Sequence, residues 1–304
     1  VLAGADLTKA IFDEANLDGA DLSGARCWDT TFLRSVLTRI KVDGADFRPL
    51  VPDWEDEHEI PWDGEGDDPW IFLDRHPFEG VVSGGISGTP LHFPPSQRVH
   101  FVKDAFLFAY GNFDHINLAG MDLGYGLWIF KSSFRSANLK GAQLEFASLF
   151  ETDFTDADLT GANLRDLWGD GGDWDIGPCF RNATLVRTDL TNAYLERSDC
   201  AGADFTMANL TEARIRTTNF TGCILQGANL SKVRGWAIDS VGPNFTNADL
   251  KSSNFTGAEL LFANFDGADL TGAILDDVRS KGLTGTPKAL PDGWQISNGV
   301  LVRN

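Results

Sequence analysis

A chain of 304 residues with 42% hydrophobic residues and a formal net charge of -19 has enough apolar material for a packed interior. It has no apolar run near the roughly 20 residues that cross a bilayer. The charge excludes a duplex-binding groove, because neutralising phosphates needs clustered Lys and Arg, and suits a protein partner with a basic surface or a site that normally takes DNA.

Residues 1–47 carry a five-residue period. Large apolar side chains recur at Leu7, Phe12, Leu17, Leu22, Phe32, Leu37 and Phe47. Ala5, Ala10, Ala15, Ala20, Ala25 and Ala45 sit two residues before large positions. Neither a helix nor a strand repeats every five residues, so the simplest backbone is three extended residues and a two-residue corner. The small and large residues face inward. Asp6, Asn16 or Asp21 between them faces solvent, and residues such as Ser23 and Gly24 turn the corner. Four such units close a square coil, so residues 20 apart are expected to stack about one strand spacing apart, near 4.8 Å.

Segment 48–107 interrupts this pattern. Over 48–79 it holds eleven acidic residues against two arginines, nearly half of the net charge. Trp54, Trp62 and Trp70 recur there eight residues apart, and Trp is enriched at binding hot spots. With Asp67 and Asp68 among them, the segment reads as a docking arm. The competing reading is a loop folded back on the coils with its carboxylates solvated. Val99-His100-Phe101-Val102 and Phe106-Leu107-Phe108 have strand character and are expected to lead back into the coils.

The repeat resumes over 108–280. One extra residue between Leu123 and Phe134 reads as a bulge near Trp128. A loop over 165–182 sets Trp168 and Trp174 beside Asp170, Asp173 and Asp175. A bulged coil spans 231–244, with Gly235 and Ser240 at core positions. Because 15 residues separate Leu230 from Phe245, the register is expected to survive it. Leu190, Leu210, Leu230, Leu250 and Leu270 would form one ladder, and Leu185, Phe205, Leu225, Phe245 and Phe265 another. After Leu275 the repeat decays. Residues 281–304, with Trp294 and the strand-like Gln295–Val302, read as a C-terminal cap over exposed strand edges. Val1 enters mid-repeat with no charged or apolar leader before it, so a removed leader is one expectation, and the first coil is expected to be capped by a missing segment or by a partner.

Little chemistry is visible. Asp63, Glu65, Asp67 and Asp74 match positions 1, 3, 5 and 12 of a calcium loop, but Asp68 stands where that loop needs Gly, which makes them weak candidates. His58, His76, His92, His100 and His115 have no nucleophile or ligand partner at a recognisable spacing. Cys27, Cys179, Cys200 and Cys223 lie too far apart for a zinc or redox motif, and three of them fall on inward positions. The Asn-x-Thr/Ser triplets, such as that at Asn219, follow from the repeat itself. No cofactor, no resident metal and no enzymatic activity is expected.

Units such as Ala157-Asp158-Leu159, Ala162-Asn163-Leu164, Ala228-Asn229-Leu230, Ala248-Asp249-Leu250 and Ala268-Asp269-Leu270 resemble the pentapeptide-repeat family. The resemblance extends over 37 units, or roughly nine coils. It implies an all-β, right-handed quadrilateral β-helix with one large loop insertion, and its end resembles cyanobacterial and actinobacterial members. It also implies a non-enzymatic scaffold or adaptor that docks proteins through acidic faces and Trp-rich loops, with homodimer pairing among the options. The topoisomerase-protecting branch of the family supplies the alternative, a DNA-mimicking ligand of gyrase. The bacterial cytoplasm is the expected compartment, and a removed leader would point to the chloroplast or thylakoid lumen.

Overall fold

Three extended residues and a two-residue corner must satisfy five backbone amides per unit, and the sequence supplies each acceptor. In the computed structural model, Ala10 N–H donates to Leu7 O at 2.8 Å and Lys9 has φ 62°, the geometry of a type II turn. Leu7 N–H donates to Arg26 O (2.7 Å), Lys9 N–H to Trp28 O (2.8 Å), and Arg26 N–H back to Ala5 O (2.9 Å), so each coil is bonded to the next. The first corner amide, that of Thr8, takes a side chain instead. Asp6 Oδ1 accepts from Thr8 N–H at 3.1 Å and from its hydroxyl at 2.6 Å. The same bond recurs along the chain, at Asp158 to Thr160, Asn219 to Thr221 and Asp269 to Thr271. The outward position is Asp or Asn because a short acceptor reaches the amide two residues on.

The structure describes residues 2–28, 30–32, 34–47, 82–84, 99–102, 105–108, 111–123, 129, 131–168, 176–237 and 240–304. The chain divides into two compact units, Val1–Asn112 and Phe113–Asn304. In the first, parallel bridges Asp6↔Arg26, Ile11↔Thr31, Asn16↔Val36 and Asp21↔Lys41 define a 20-residue coil. Leu22, Phe32, Leu37 and Val42 are fully buried, while Leu7, Phe12 and Leu17 of the first coil are half-buried. Strand β1 (Val36–Thr38) pairs in parallel with β2 (Val82–Gly84), so part of the interrupting segment extends the stack. The two stretches expected to run back into the coils, β3 (Val99–Val102) and β4 (Ala105–Phe108), pair with each other as an antiparallel hairpin.

The second unit keeps the 20-residue coil but interrupts it three times. Asn117↔Asn138 and Asp122↔Gln143 are 21 apart, and Ser133↔Asp153 returns to 20. The added residue lies between Leu123 and Ile129, as the main-chain bonds of those two residues show. Asp153↔Cys179, Asp158↔Thr184 and Asn163↔Asp189 are 26 apart. This break is narrower than 165–182: Leu167 is buried, Trp168 still bridges Ser148, and Cys179 is back in the stack.

The third interruption corrects the expected ladders. Asn219↔Asn244, Ile224↔Asp249 and Asn229↔Asn254 are 25 apart. Multiples of five preserve each residue's inward or outward role, but this coil holds one extra unit. Phe220 therefore stacks on Phe245 (5.1 Å) and Phe245 on Phe265 (5.2 Å). Leu225 N–H bonds Asp249 O and Leu230 N–H bonds Asn254 O, so Leu225 precedes Leu250 in its ladder and Leu230 precedes Phe255. Strands β5 (Arg234–Gly235), β6 (Glu259–Leu261) and β7 (Arg279–Lys281) run in parallel across the interruption. Gly235 keeps an inward position, and a Cβ there would lie 3.0 Å from Pro243 Cγ. The missing side chain lets Pro243 fold back and close the excursion. Ser240 is exposed, not in the core.

Inward positions fill with ladders: Phe113, Phe134, Phe154 and Phe180 have successive ring centroids 4.8–5.3 Å apart. Stacked rings add about 0.5–1.5 kcal/mol per pair beyond their burial. The end of the chain is a hairpin of β8 (Trp294–Ser297) and β9 (Val300–Arg303), not one strand. It lies on the last coil through Leu283 N–H to Gly299 O (2.9 Å) and Leu301 N–H to Ser280 Oγ (2.9 Å). Leu301 is its buried side chain, and Trp294 is half-buried.

The 25-residue coil is testable by cross-linking. Stacked residues meet the Cα spacing a disulfide requires, so Ile224→Cys with Asp249→Cys should oxidise readily, and Ile224→Cys with Asn244→Cys should not. Non-reducing electrophoresis reads the difference. The corner bond is tested at Asn219, which accepts from Thr221 and donates to Asp199 at 2.9 Å. Asn219→Ala should cost about 1–2 kcal/mol in denaturant unfolding.

Candidate functional site

Because inward positions hold Leu, Phe and Ala at or near zero exposure, chemistry has to be sought on the outward positions. In the second unit these align into four rows. One row runs Asp153, Cys179, Asp199, Asn219, Asn244, Asn264, and another Asn163, Asp189, Asn209, Asn229, Asn254. Their Asn amides reach the preceding coil: Asn219 Nδ2 donates to Asp199 Oδ1, and Asn244 and Asn264 to Thr221 and Thr246 hydroxyls at 3.0 Å. Because no two Asp are neighbours in either row, carboxylates do not stack one strand spacing apart there.

A third row is the acidic one: Asp158, Thr184, Asp204, Ile224, Asp249, Asp269. Lysines pair with three of its four aspartates. Lys140 pairs with Asp158 (2.9 Å), Lys251 with Asp249 (3.0 Å) and Asp269 (3.5 Å), and Lys288 with Asp269 (3.3 Å). The Thr271 hydroxyl first, then its amide, Lys288 and Lys251, hold the Asp269 carboxyl down at about 2, against the upward push of burial.

The fourth row breaks the Asp/Asn rule on successive coils: Ser148, Trp168, Tyr194, Arg214, Arg234, Glu259, Arg279. Trp168 is 55% exposed and its ring stacks on Tyr194 with centroids 5.8 Å apart. The Arg214 guanidinium sits 4.0 Å from the Tyr194 ring centroid, a cation–π contact. Along the corner beside the row, Arg216 pairs with the nearly buried Glu196 at 2.6 Å. On the other side lies a groove of about 340 Å³ lined by Glu212, Lys232, Arg234, Gly257, Glu259, Asp277 and Arg279. Lys232 is paired with Glu212 (3.3 Å) and Arg279 with Glu259 (2.7 Å). Arg234 stands between these pairs and makes no ion pair among the described residues. Arg214 Nε, Arg216 Nε, Thr217 Oγ1 and Ser198 Oγ are buried without a hydrogen-bond partner.

Of the contact residues expected from sequence, Trp168 is in this row. Trp54, Trp62, Trp70, Asp67, Asp68 and Trp174, the calcium candidates Asp63, Glu65 and Asp74, the loop aspartates Asp170, Asp173 and Asp175, and Trp128 lie outside the described residues. Tyr194, Arg214 and Arg234 were missed. The signal was a run of middle positions without Asp or Asn at intervals of 20, which a 20-residue coil already stacks; only the step of 26 from Trp168 to Tyr194 needs the structure. Cys27, Cys200 and Cys223 are buried. Burial pushes the Cys27 and Cys223 thiols up to about 12 and Cys200 in the same direction, so none supplies a thiolate at neutral pH. Among the described residues no group of His, Cys, Asp or Glu could hold a metal ion. No helix there is long and apolar enough to cross a membrane.

The sequence profile of pentapeptide repeats matches in 8 copies, over residues 1–39, 10–48, 131–166, 180–211, 198–234 and 244–279, more than half of the chain. The chain belongs to the pentapeptide-repeat family. Its all-β coils are accordingly the right-handed quadrilateral β-helix of that family. Among solved structures, it is similar to HetL of the cyanobacterium Nostoc sp. strain PCC 7120, a pentapeptide-repeat protein involved in heterocyst differentiation regulation. That likeness has 20% identity, 93% of this chain, 87% of that one and a TM-score of 0.35. A trypsin-treated variant of QnrB1, a plasmid-mediated fluoroquinolone resistance protein, matches at 20% identity over 58% of this chain and 86% of that one, TM-score 0.34. A pentapeptide-repeat protein of the Arabidopsis thaliana thylakoid lumen matches at 26% identity over 40% and 66%, TM-score 0.21. With scores this low, family membership rests on the repeat profile. No curated protein sequence matches significantly.

The depressed Asp269 titration predicts an acid response for this pentapeptide-repeat protein. A carboxyl whose folded pKa lies below the unfolded value of 3.8 stabilises fully above that value, and the contribution is lost as pH falls through about 2. Asp269→Asn keeps the corner acceptor and removes the charge. Its melting temperature should fall below the parent's at neutral pH, with the gap narrowing as pH approaches 2. A constant gap would mean the charge contributes nothing.

Proposed function

We propose that this pentapeptide-repeat protein is a non-enzymatic scaffold or adaptor that docks other proteins on its outward rows and inserted loops. The observation that supports it is the filled interior. Ladders of Leu and Phe at zero exposure leave the surface as the place where specificity can reside. The partner presents a basic surface to the carboxylate-bearing rows. Contact residues are assigned to Trp54, Trp62, Trp70, Asp67 and Asp68 of segment 48–107, and to Trp168 and Trp174. The bacterial cytoplasm is the compartment proposed, the thylakoid lumen the alternative, and self-association through a row is compatible with the same reading.

The DNA-mimicking alternative needs uncompensated carboxylates at regular spacing. The acidic row is broken by Thr184 and Ile224, and Lys140, Lys251 and Lys288 pair with its aspartates. That favours the adaptor reading. Affinity capture with the intact chain and with residues 48–107 deleted should recover different partner sets; identical sets would remove the arm from the contact surface. In a supercoiling assay with gyrase at micromolar protein, neither inhibition nor protection against a quinolone is expected. Either effect would transfer the role to DNA mimicry.

A further inference from the structure

The Trp168–Tyr194–Arg214–Arg234 row gives up a structural bond on successive coils. At these positions Asp or Asn would cap the corner amide, and Arg has no acceptor atom with which to do so. The corner amides that follow the two arginines, those of Arg216 and Trp236, have no hydrogen bond among the described residues. Arg234 is exposed and unpaired among the described residues, and the Arg214 guanidinium lies one coil away, so the row sets like charges on neighbouring strands, an arrangement that costs stability. Arg214 Nε is buried with no acceptor, as is Arg216 Nε beside it. Orphaned donors of this kind are rare in folded proteins and call for an explanation. A guanidinium is shaped to take a carboxylate through two parallel N–H bonds. Next to these donors, Trp168 and Tyr194 present a stacked aromatic platform with Trp168 more than half exposed.

We propose that this row docks an extended acidic peptide segment of a partner protein, with carboxylates on Arg214 and Arg234 and apolar or aromatic side chains on Trp168 and Tyr194. The inference rests on the docking reading above and adds to it a second surface, of opposite charge to the acidic row. A peptide fits better than a nucleic acid. A phosphate chain carries one charge per residue, and here it would meet Glu212, Glu259 and Asp277 around the groove on a chain of net charge -19. A peptide with a carboxylate at alternate residues can place its charges on the two arginines and its neutral side chains elsewhere.

The test is fluorescence anisotropy with the full chain and a labelled peptide alternating Asp with Tyr or Leu. Controls are the same peptide with Asn for Asp and a labelled oligothymidylate of equal length. Only the Asp peptide is expected to bind, more weakly as salt rises. Arg234→Gln, at an exposed position where misfolding is not a concern, should weaken it by about fivefold or more, and Arg214→Gln with Arg234→Gln by a further similar factor. Arg234→Lys should restore part of the loss. Equal binding of the Asn peptide, no effect of Arg234→Gln, or tighter binding of oligothymidylate would each overturn the proposal. Should the peptide not bind while affinity capture still recovers partners, this surface is wrong and the scaffold reading stands. If capture fails as well, the scaffold reading falls with it.

Discussion

Every coil depends on main-chain bonds that run along the solenoid axis. Leu185 N–H donates to Asp204 O and Asp204 N–H to Ala183 O, so both main-chain groups of the middle residue are committed to the preceding coil, while its neighbours Ala203 and Phe205 bond the next coil through Ile224. The corner amide is the one group this scheme leaves over, and the outward Asp or Asn takes it. Two consequences follow. The middle residue of a unit is constrained although it faces solvent. The coil can change length only where the chain leaves the stack and re-enters it with the same inward and outward phase.

The interruptions obey that second consequence. Twenty-five residues in one coil preserve phase automatically, since the excursion adds one complete unit. Twenty-six do not, yet Trp168 and Cys179 both sit in the stack, and the buried Phe180 shows the phase restored. A buried Gly235 opposite Pro243 does the equivalent work at the other interruption. Nothing in a five-residue period distinguishes a coil of 20 from a coil of 25. The inward residues were therefore readable from sequence, while their neighbours across the axis were not: Phe220 with Phe245 is a fact of stacking, not of period. Likewise, the strand character of residues 99–108 was legible, but not that the two stretches pair with each other.

The candidate site was legible in part for the same reason. Trp168 stands out in any reading as an aromatic beside an acidic loop. Tyr194, Arg214 and Arg234 lie 20 residues apart and share a row in an ordinary coil, but Trp168 joins them only through a coil of 26. Each exception is unremarkable alone, because a single unit can lose its corner cap at a cost of order 1 kcal/mol. The place of Trp168 beside them depends on the length of the interrupted coil, which side-chain pattern alone does not carry.

Function in such a fold is bounded by how much of the surface the fold itself uses. Asp and Asn on three rows are engaged in corner bonds and in bonds to neighbouring coils, and lysines offset the carboxylates of the acidic row. Counting acidic residues thus overstates the charge free to meet a partner, and net charge alone is a poor guide to the docking face. The informative positions are those that the coil would fill differently. A guanidinium in place of a corner acceptor gives up that bond, and the Arg214 contact with the Tyr194 ring returns part of the loss. On a surface otherwise committed to holding its own coils together, positions freed from the corner bond, such as the exposed Arg234, are the ones open to a partner.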